Sequence, residues 1–221
     1  MTTPGTTQST ELPPLMDRLK AETSEVHAQT EQIPFNAGIM AKTMPQARYA
    51  GQLACWFRVH EVLEASLNAT NDAVVQSAWP GTTERAPLLQ ADLDWHVDAD
   101  VPAEAEQATT DMVEWVRGVG ANDPRCLLGI LYVLEGSTLG GMILSKCIAE
   151  MYGCEGDAGL AYYSAHGTKV MPNWMEFKAR MNAAVTSLDD QARLIEAAGE
   201  TFRRLGLILT GLSAGLPGTD G

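Results

Sequence analysis

His27 is the residue of this sequence whose surroundings most suggest chemistry. Of the four histidines it alone has a promising neighbourhood, with Lys20 seven positions earlier and Glu31 four positions later. On a helix turning about 100° per residue, Leu15, Leu19, Thr23 and Val26 form a stripe and His27 falls at its edge. Lys20 and Glu31 lie within roughly 40° of that stripe on the same side. Such a flank could offer an imidazole to a metal, fix the tautomer through Glu31 at the second ring nitrogen, and neutralise an acid group of the same ligand at Lys20. A histidine at a face edge also serves as an ordinary hydrogen-bonded boundary residue. Spacing alone leaves both readings open. His60, His96 and His166 read as surface or boundary residues.

The second candidate is the stretch LLGILYVLEGSTLGGMILSKCIAEMYG, residues 127–153. It reads as one long buried helix, yet Gly136, Gly140 and Gly141 interrupt it, each costing about 1 kcal/mol relative to Ala. Gly136 and Gly140 share a face and leave a bare strip of backbone beside Ser137 and Thr138. Another backbone, or a flat ligand, could lie against that strip. Farther on, Lys178 and Arg180 share a helix with Trp174 and Phe177, either facing solvent or reaching an anionic ligand group.

Other chemistries lack their residues. A helical di-iron carboxylate site needs Glu three before His, and those positions hold Ser24, Phe57, Leu93 and Tyr163. There is no GxSxG, no P-loop and no complete GxGxxG. The formal charge of −13 repels phosphate backbones and anionic lipid, so neither nucleic acid nor membrane is expected as a partner. Cys55, Cys126, Cys147 and Cys154 form no CxxC pair and read as free thiols of a reducing compartment.

These side chains must be held by helices. Apolar residues make up 45% and charged ones 19%, as in a folded domain. Residues 1–11 read as a mobile tail, 12–214 as one helical domain and 215–221 as a fraying tail. Helical spacing predicts a helix from Leu15 to Ile33, and a second from Pro45 to about Asn68 with Tyr49, Leu53, Trp56, Val59 and Leu63 inward. Shorter helices are predicted near 86–96, 104–118 and 172–186. A last one, from Leu188 to Leu212, turns Leu194, Ala198, Phe202 and Leu205 inward. Asp92, Asp94, Asp98, Asp100, Glu104 and Glu106 read as a solvated surface. No β-alternation is present, and the fold class is all-α. No run of 18 apolar residues and no signal peptide is seen, which predicts a cytoplasmic protein.

Taken together, LKAETSEVHAQTEQIPF around His27, LEGSTLGG, GLAYYS and EFKARMN resemble haem oxygenase, in an order that spans Leu15 to Leu212. The likeness implies an all-helical domain with haem between a proximal helix and a glycine-kinked distal helix. It makes His27 the axial iron ligand and Glu31 its neighbour. Gly136, Gly140 and Gly141 become distal contacts, with Gly136, Ser137 and Gly140 at the reacting edge. Lys20 and Lys178 are implied as propionate partners, and Phe202 and Tyr132 as further haem contacts.

Two departures stand out: Ser137 replaces an aspartate of the animal enzymes, and Trp174 replaces a propionate-side lysine. A nearby tyrosine of those enzymes is Leu131 here, with Tyr132 one position on. No C-terminal membrane anchor is seen, as in the soluble bacterial type. The implied reaction opens haem at a meso carbon, using dioxygen and an external reductant, to biliverdin, carbon monoxide and ferrous iron. A ferredoxin or reductase would donate electrons, docking on a basic patch at Lys178, Arg180, Arg203 and Arg204, and a bilin-binding photoreceptor could take the product. A non-catalytic haem carrier or sensor is the alternative that Ser137 keeps open.

Overall fold

Prolines and glycines mark where the helices begin and end. The computed structural model describes residues 13–81 and 84–216. Its helices are α1 (Leu15–Glu22), α2 (Ser24–Glu31), α3 (Pro34–Met40), α4 (Gln46–Ala69), α5 (Ala73–Ala78), α6 (Ala86–Trp95), α7 (Ala103–Asn122), α8 (Leu127–Tyr152), α9 (Ala161–Ser164), α10 (Val170–Ala184) and α11 (Leu188–Leu212). Pro14, Pro45 and Pro102 precede α1, α4 and α7, and Pro34 opens α3, where the missing N–H would have had no helical partner. Gly153 ends α8 in the left-handed conformation, at φ 70°. No strand occurs among the described residues.

The centre is built by α4, α7, α8 and α11. Leu53, Val59, Leu63, Met112, Val116, Leu128, Ile130, Leu194 and Ile208 are buried there, following the 3.6-residue period of their helices. Close approach of α8 to α11 depends on Gly129. A Cβ there would collide with the Leu194 carbonyl oxygen and lie 3.1 Å from the Ala197 methyl. Among the described residues no single helix is long and apolar enough to cross a membrane.

Several expectations are corrected. The single helix predicted from Leu15 to Ile33 is two short ones, α1 and α2, with α3 beginning just after it at Pro34. Thr23 sits between the first two with φ −104° and ψ 1°, and its hydroxyl donates to the Leu19 carbonyl at 2.7 Å. Asp92 is fully buried, not solvated, because its carboxylate accepts the Ala161 and Tyr162 N–H groups at the start of α9. His60 and His96 are buried as well. The tail predicted for residues 1–11 lies outside the described residues, as does the C-terminal one beyond Leu216. Leu216 itself is buried.

Candidate functional site

The helix bearing His27 has no buried side chain, which is unusual for an element inside a folded chain. It rests on α1 and α11, where the Thr30 hydroxyl donates to Val26 O and Gly206 of α11 lies under Ile33. The imidazole of His27 is half exposed, its Nε2 lying 3.6 Å from Glu31 Oε1, and the Phe202 ring stands against it at 5.1 Å between centroids. Lys20, in the last turn of α1, is exposed.

The second candidate segment is the middle of α8. Every residue from Leu127 to Glu135 is buried; then Ser137, Leu139, Gly140 and Ile143 are exposed, Ile143 by 60%. The segments 124–141 and 143–152 meet at a bend of 62°, the glycine kink that the resemblance implied. Thr23, at the α1–α2 junction, hydrogen-bonds the Tyr132 hydroxyl at one end of this exposed length. At the other end Tyr152 donates to Met44 O at 2.8 Å and Lys42 pairs with Glu150. Between these two ties His27 and the glycine segment are left uncovered, and nothing lies within 4 Å of where a Gly140 Cβ would be. Exposed Leu and Ile beside bare backbone, with one imidazole and only the Glu31 carboxylate beside it, fit a flat, largely apolar ligand carrying its own metal. Among the described residues no group of three or more His, Cys, Asp or Glu could hold an ion.

The other site candidates divide. A Cβ on Gly136 would touch the Trp174 ring at 3.6 Å, and that ring also lies near Tyr132 and Phe177. Ser137 turns its hydroxyl onto Leu134 O at 2.7 Å. Gly141 is corrected: about 500° of helix turn from Gly136 aims it at α9, where a Cβ would lie 3.2 Å from Tyr163 O, so it is a packing glycine. Lys178 is ion-paired to Asp17 of α1. The expected basic patch is corrected too, because Arg180 pairs with Glu176 while Arg203 and Arg204 share Glu200. All four cysteines are free. Burial pushes the Cys126 thiol up to about 12 and also raises Cys55 and Cys154, so these three thiols are poor nucleophiles at neutral pH.

Sequence reasoning missed a buried polar cluster on the face of α8 toward α4 and α9. Tyr162, His60, Glu64, Arg85 and Glu135 are each less than a tenth exposed. Burial would raise the Glu135 carboxyl, but the His166 hydrogen bond and the charges of Arg85, His166 and His60 outweigh it and hold it below the usual range. The available signal was spacing: His60 is four after Trp56 and seven after Leu53, on the inward stripe of α4.

Comparison with known proteins points in one direction. Residues 13–209 match the family model described as "Heme oxygenase". Heme oxygenase 1 of Gallus gallus is 25% identical over 195 residues, a match covering 85% of this chain and 66% of the relative. Heme oxygenase 2 of Rattus norvegicus is 23% identical over 208 residues, covering 91% and 66%. The chain therefore spans about two thirds of the length of these curated relatives. The solved heme oxygenase of Leptospira interrogans superposes with a TM-score of 0.81 at 22% identity, covering 90% of this chain and 99% of that one. Heme oxygenase-2 of Synechocystis sp. PCC 6803, solved with heme and NO, gives 0.83 at 16%, covering 91% and 86%. The fold is shared with both.

Proposed function

The chain belongs to the haem oxygenase family, and on that premise we propose that it binds haem between α2 and the glycine segment of α8 and opens it at a meso carbon. The products are biliverdin, carbon monoxide and ferrous iron, with dioxygen and external electrons consumed. What supports the reading is that the half-exposed imidazole of His27 and the uncovered Gly140 backbone lie on α2 and α8, which Thr23 at the start of α2 joins through the Tyr132 hydroxyl. When bound, haem supplies the redox chemistry through its own iron.

The protein's part is to hold and to orient. His27 gives a neutral imidazole ligand, which donates less charge than a thiolate and so disfavours early O–O cleavage. Phe202 buttresses the ring of His27 and Glu31 stands beside it. Gly136 and Gly140 let backbone come close to the ligand face, and the exposed Ser137 hydroxyl borders the same edge. Tyr132 and Trp174 close one side. Lys20 and Lys178 reach the ligand's carboxylates, Lys178 by exchanging its Asp17 partner, and so set the in-plane rotation that selects the carbon attacked. Free thiols suit a reducing cytoplasm. The electron donor, a ferredoxin or reductase, must dock without an unpaired cluster at Arg180, Arg203 and Arg204, since each of these already has a carboxylate.

The test is haemin titration of wild type and His27→Ala by absorbance, followed by ascorbate in air. Wild type is expected to form a one-to-one complex whose Soret band gives way to a bilin spectrum, and the variant to lose ligation and turnover. Binding without bilin would make the chain a carrier or sensor. Absence of binding would reduce the glycine segment to a packing feature.

A further inference from the structure

The two glycines on the bare face of α8 are not equally bare. A Cβ on Gly136 would lie 3.6 Å from Cη2 and 3.9 Å from Cζ3 of Trp174, whereas nothing stands within 4 Å of one on Gly140, a turn farther along. The six-membered ring of the indole thus roofs the first glycine and leaves the second open. Two rings hold it there. Phe177, three residues on in α10, is 5.6 Å away between centroids, and Tyr132, one turn before Gly136 on the same face of α8, is 6.1 Å away. Both are less than a tenth exposed, while Trp174 itself is only partly buried. Lys178, one turn after Trp174, reaches the other way, to Asp17 of α1. Because α10 packs on both α1 and α8, it closes this end of the proposed haem site with two unlike groups. An indole stands on the α8 side and an ammonium on the α1 side, where Lys20 adds a second.

We propose that Trp174 is a specificity-determining residue, the stop against which an apolar edge of haem seats; the assignment rests on the haem reading above. Haem is a disc with its two carboxylates on one edge and hydrocarbon substituents on the others. A carboxylate brought against the rings of Trp174, Tyr132 and Phe177 would lose water with no cation to pair it, and the Tyr132 hydroxyl is already engaged by Thr23. An apolar edge buries its surface there at a gain. Turned so that its carboxylates meet Lys178 and Lys20, the disc satisfies both sides of the wall at once. Trp174 therefore works as much by penalising the other rotations as by favouring this one. The rotation in turn decides which meso carbon stands at the open, Gly140 end of the strip. Ordinary packing of an indole over a glycine would stabilise the fold and prefer no rotation, so the two roles part when the ring is removed.

Trp174→Ala removes the stop, and Trp174→Phe shortens it while keeping an aromatic contact for Tyr132 and Phe177, so the second serves should the first not fold. Each is loaded with haemin, and the cyanide-ligated ferric complex is read by proton NMR, where the order of the haem methyl shifts reports in-plane rotation without any turnover. Wild type is expected to give one methyl pattern and one dominant biliverdin isomer. In Trp174→Ala a second pattern is expected, and the ratio of major to minor isomer is expected to fall by at least about tenfold. Trp174→Phe is expected to lie between. The Soret band should match wild type in both, since His27 is untouched. An unchanged methyl pattern and isomer ratio in the variants that fold would overturn the stop and leave the indole as packing; two patterns in wild type would do the same. Failure of wild type to bind haemin would overturn the haem reading instead.

Discussion

Gly129 and Gly140 occupy the same helix, about 16 Å apart along an unbent axis, and do opposite things. At Gly129 the missing side chain is filled by α11, whose Leu194 carbonyl occupies the space a Cβ needs. At Gly140 the missing side chain is filled by nothing within 4 Å. The first glycine marks two backbones already in contact. The second marks a surface kept bare, at a conformational cost of about 1 kcal/mol that no contact within the protein offsets. A glycine in a helix is therefore informative only together with what stands opposite it.

That contrast can be broken by substitution. Gly129→Ala must push α8 from α11 against backbone and is expected to destabilise by about 3 kcal/mol, a fall in Tm of roughly 6–12 °C. Urea denaturation showing less than about 1 kcal/mol would mean the interface yields. Next in size is an alkaline effect, to which Tyr162 on the packed side of α8 contributes alongside the other raised tyrosines Tyr49, Tyr132, Tyr152 and Tyr163. The Tyr162 hydroxyl is pushed from the ordinary 10 to about 12, mainly by burial. The folded pKa lies above the unfolded one, so this stabilisation is complete below pH 10 and is lost as pH rises toward 12. About 2–3 kcal/mol should go across that window, and phenolate absorbance should appear together with loss of helix. Phenolate formation in an intact fold would contradict it. Gly140→Ala has the smallest expected effect on stability, a gain of up to about 1 kcal/mol from helix propensity. Haemin affinity is expected to fall by about tenfold, or about 1.4 kcal/mol. Unchanged affinity and unchanged product isomer would show that Gly140 faces no ligand.

The long helices were legible because their signals are local. Pro45, Gly153 and the inward stripes of α4 and α11 fix elements without reference to the rest of the chain, and the Leu188–Leu212 helix was bounded correctly. His27, Gly136, Gly140 and Phe202 were singled out through spacing joined to the family likeness; the Phe202 ring stands against His27, and Gly140 has nothing opposite it. Gly141 misled because its neighbour Gly140 is exposed while its own direction, set by helix phase, is toward Tyr163. The break at Thr23 left no local signal, since its hydroxyl bond to the carbonyl four residues back is also made by Thr109 and Thr201 within unbroken helices. Least legible was the polar cluster. Arg85 meets Glu135 across 50 residues and His60 meets Tyr162 across 102. Charged side chains read as solvent-facing until a partner on another helix permits their burial.

The bend in α8 carries one more consequence. Up to Gly141 the helix is held by α11 and α9, and beyond it by the segment bearing Lys42 and Met44. Such a helix is a beam on two supports, notched where its backbone carries the least flesh. Stress applied anywhere along it concentrates at the notch, so the two arms can hinge while the buried length from Leu127 to Glu135 keeps its contacts. Grip on a rigid disc, and its release once the disc has been opened into a flexible strip, then depends on the stiffness of a few residues, separately from the stability of the fold that carries them.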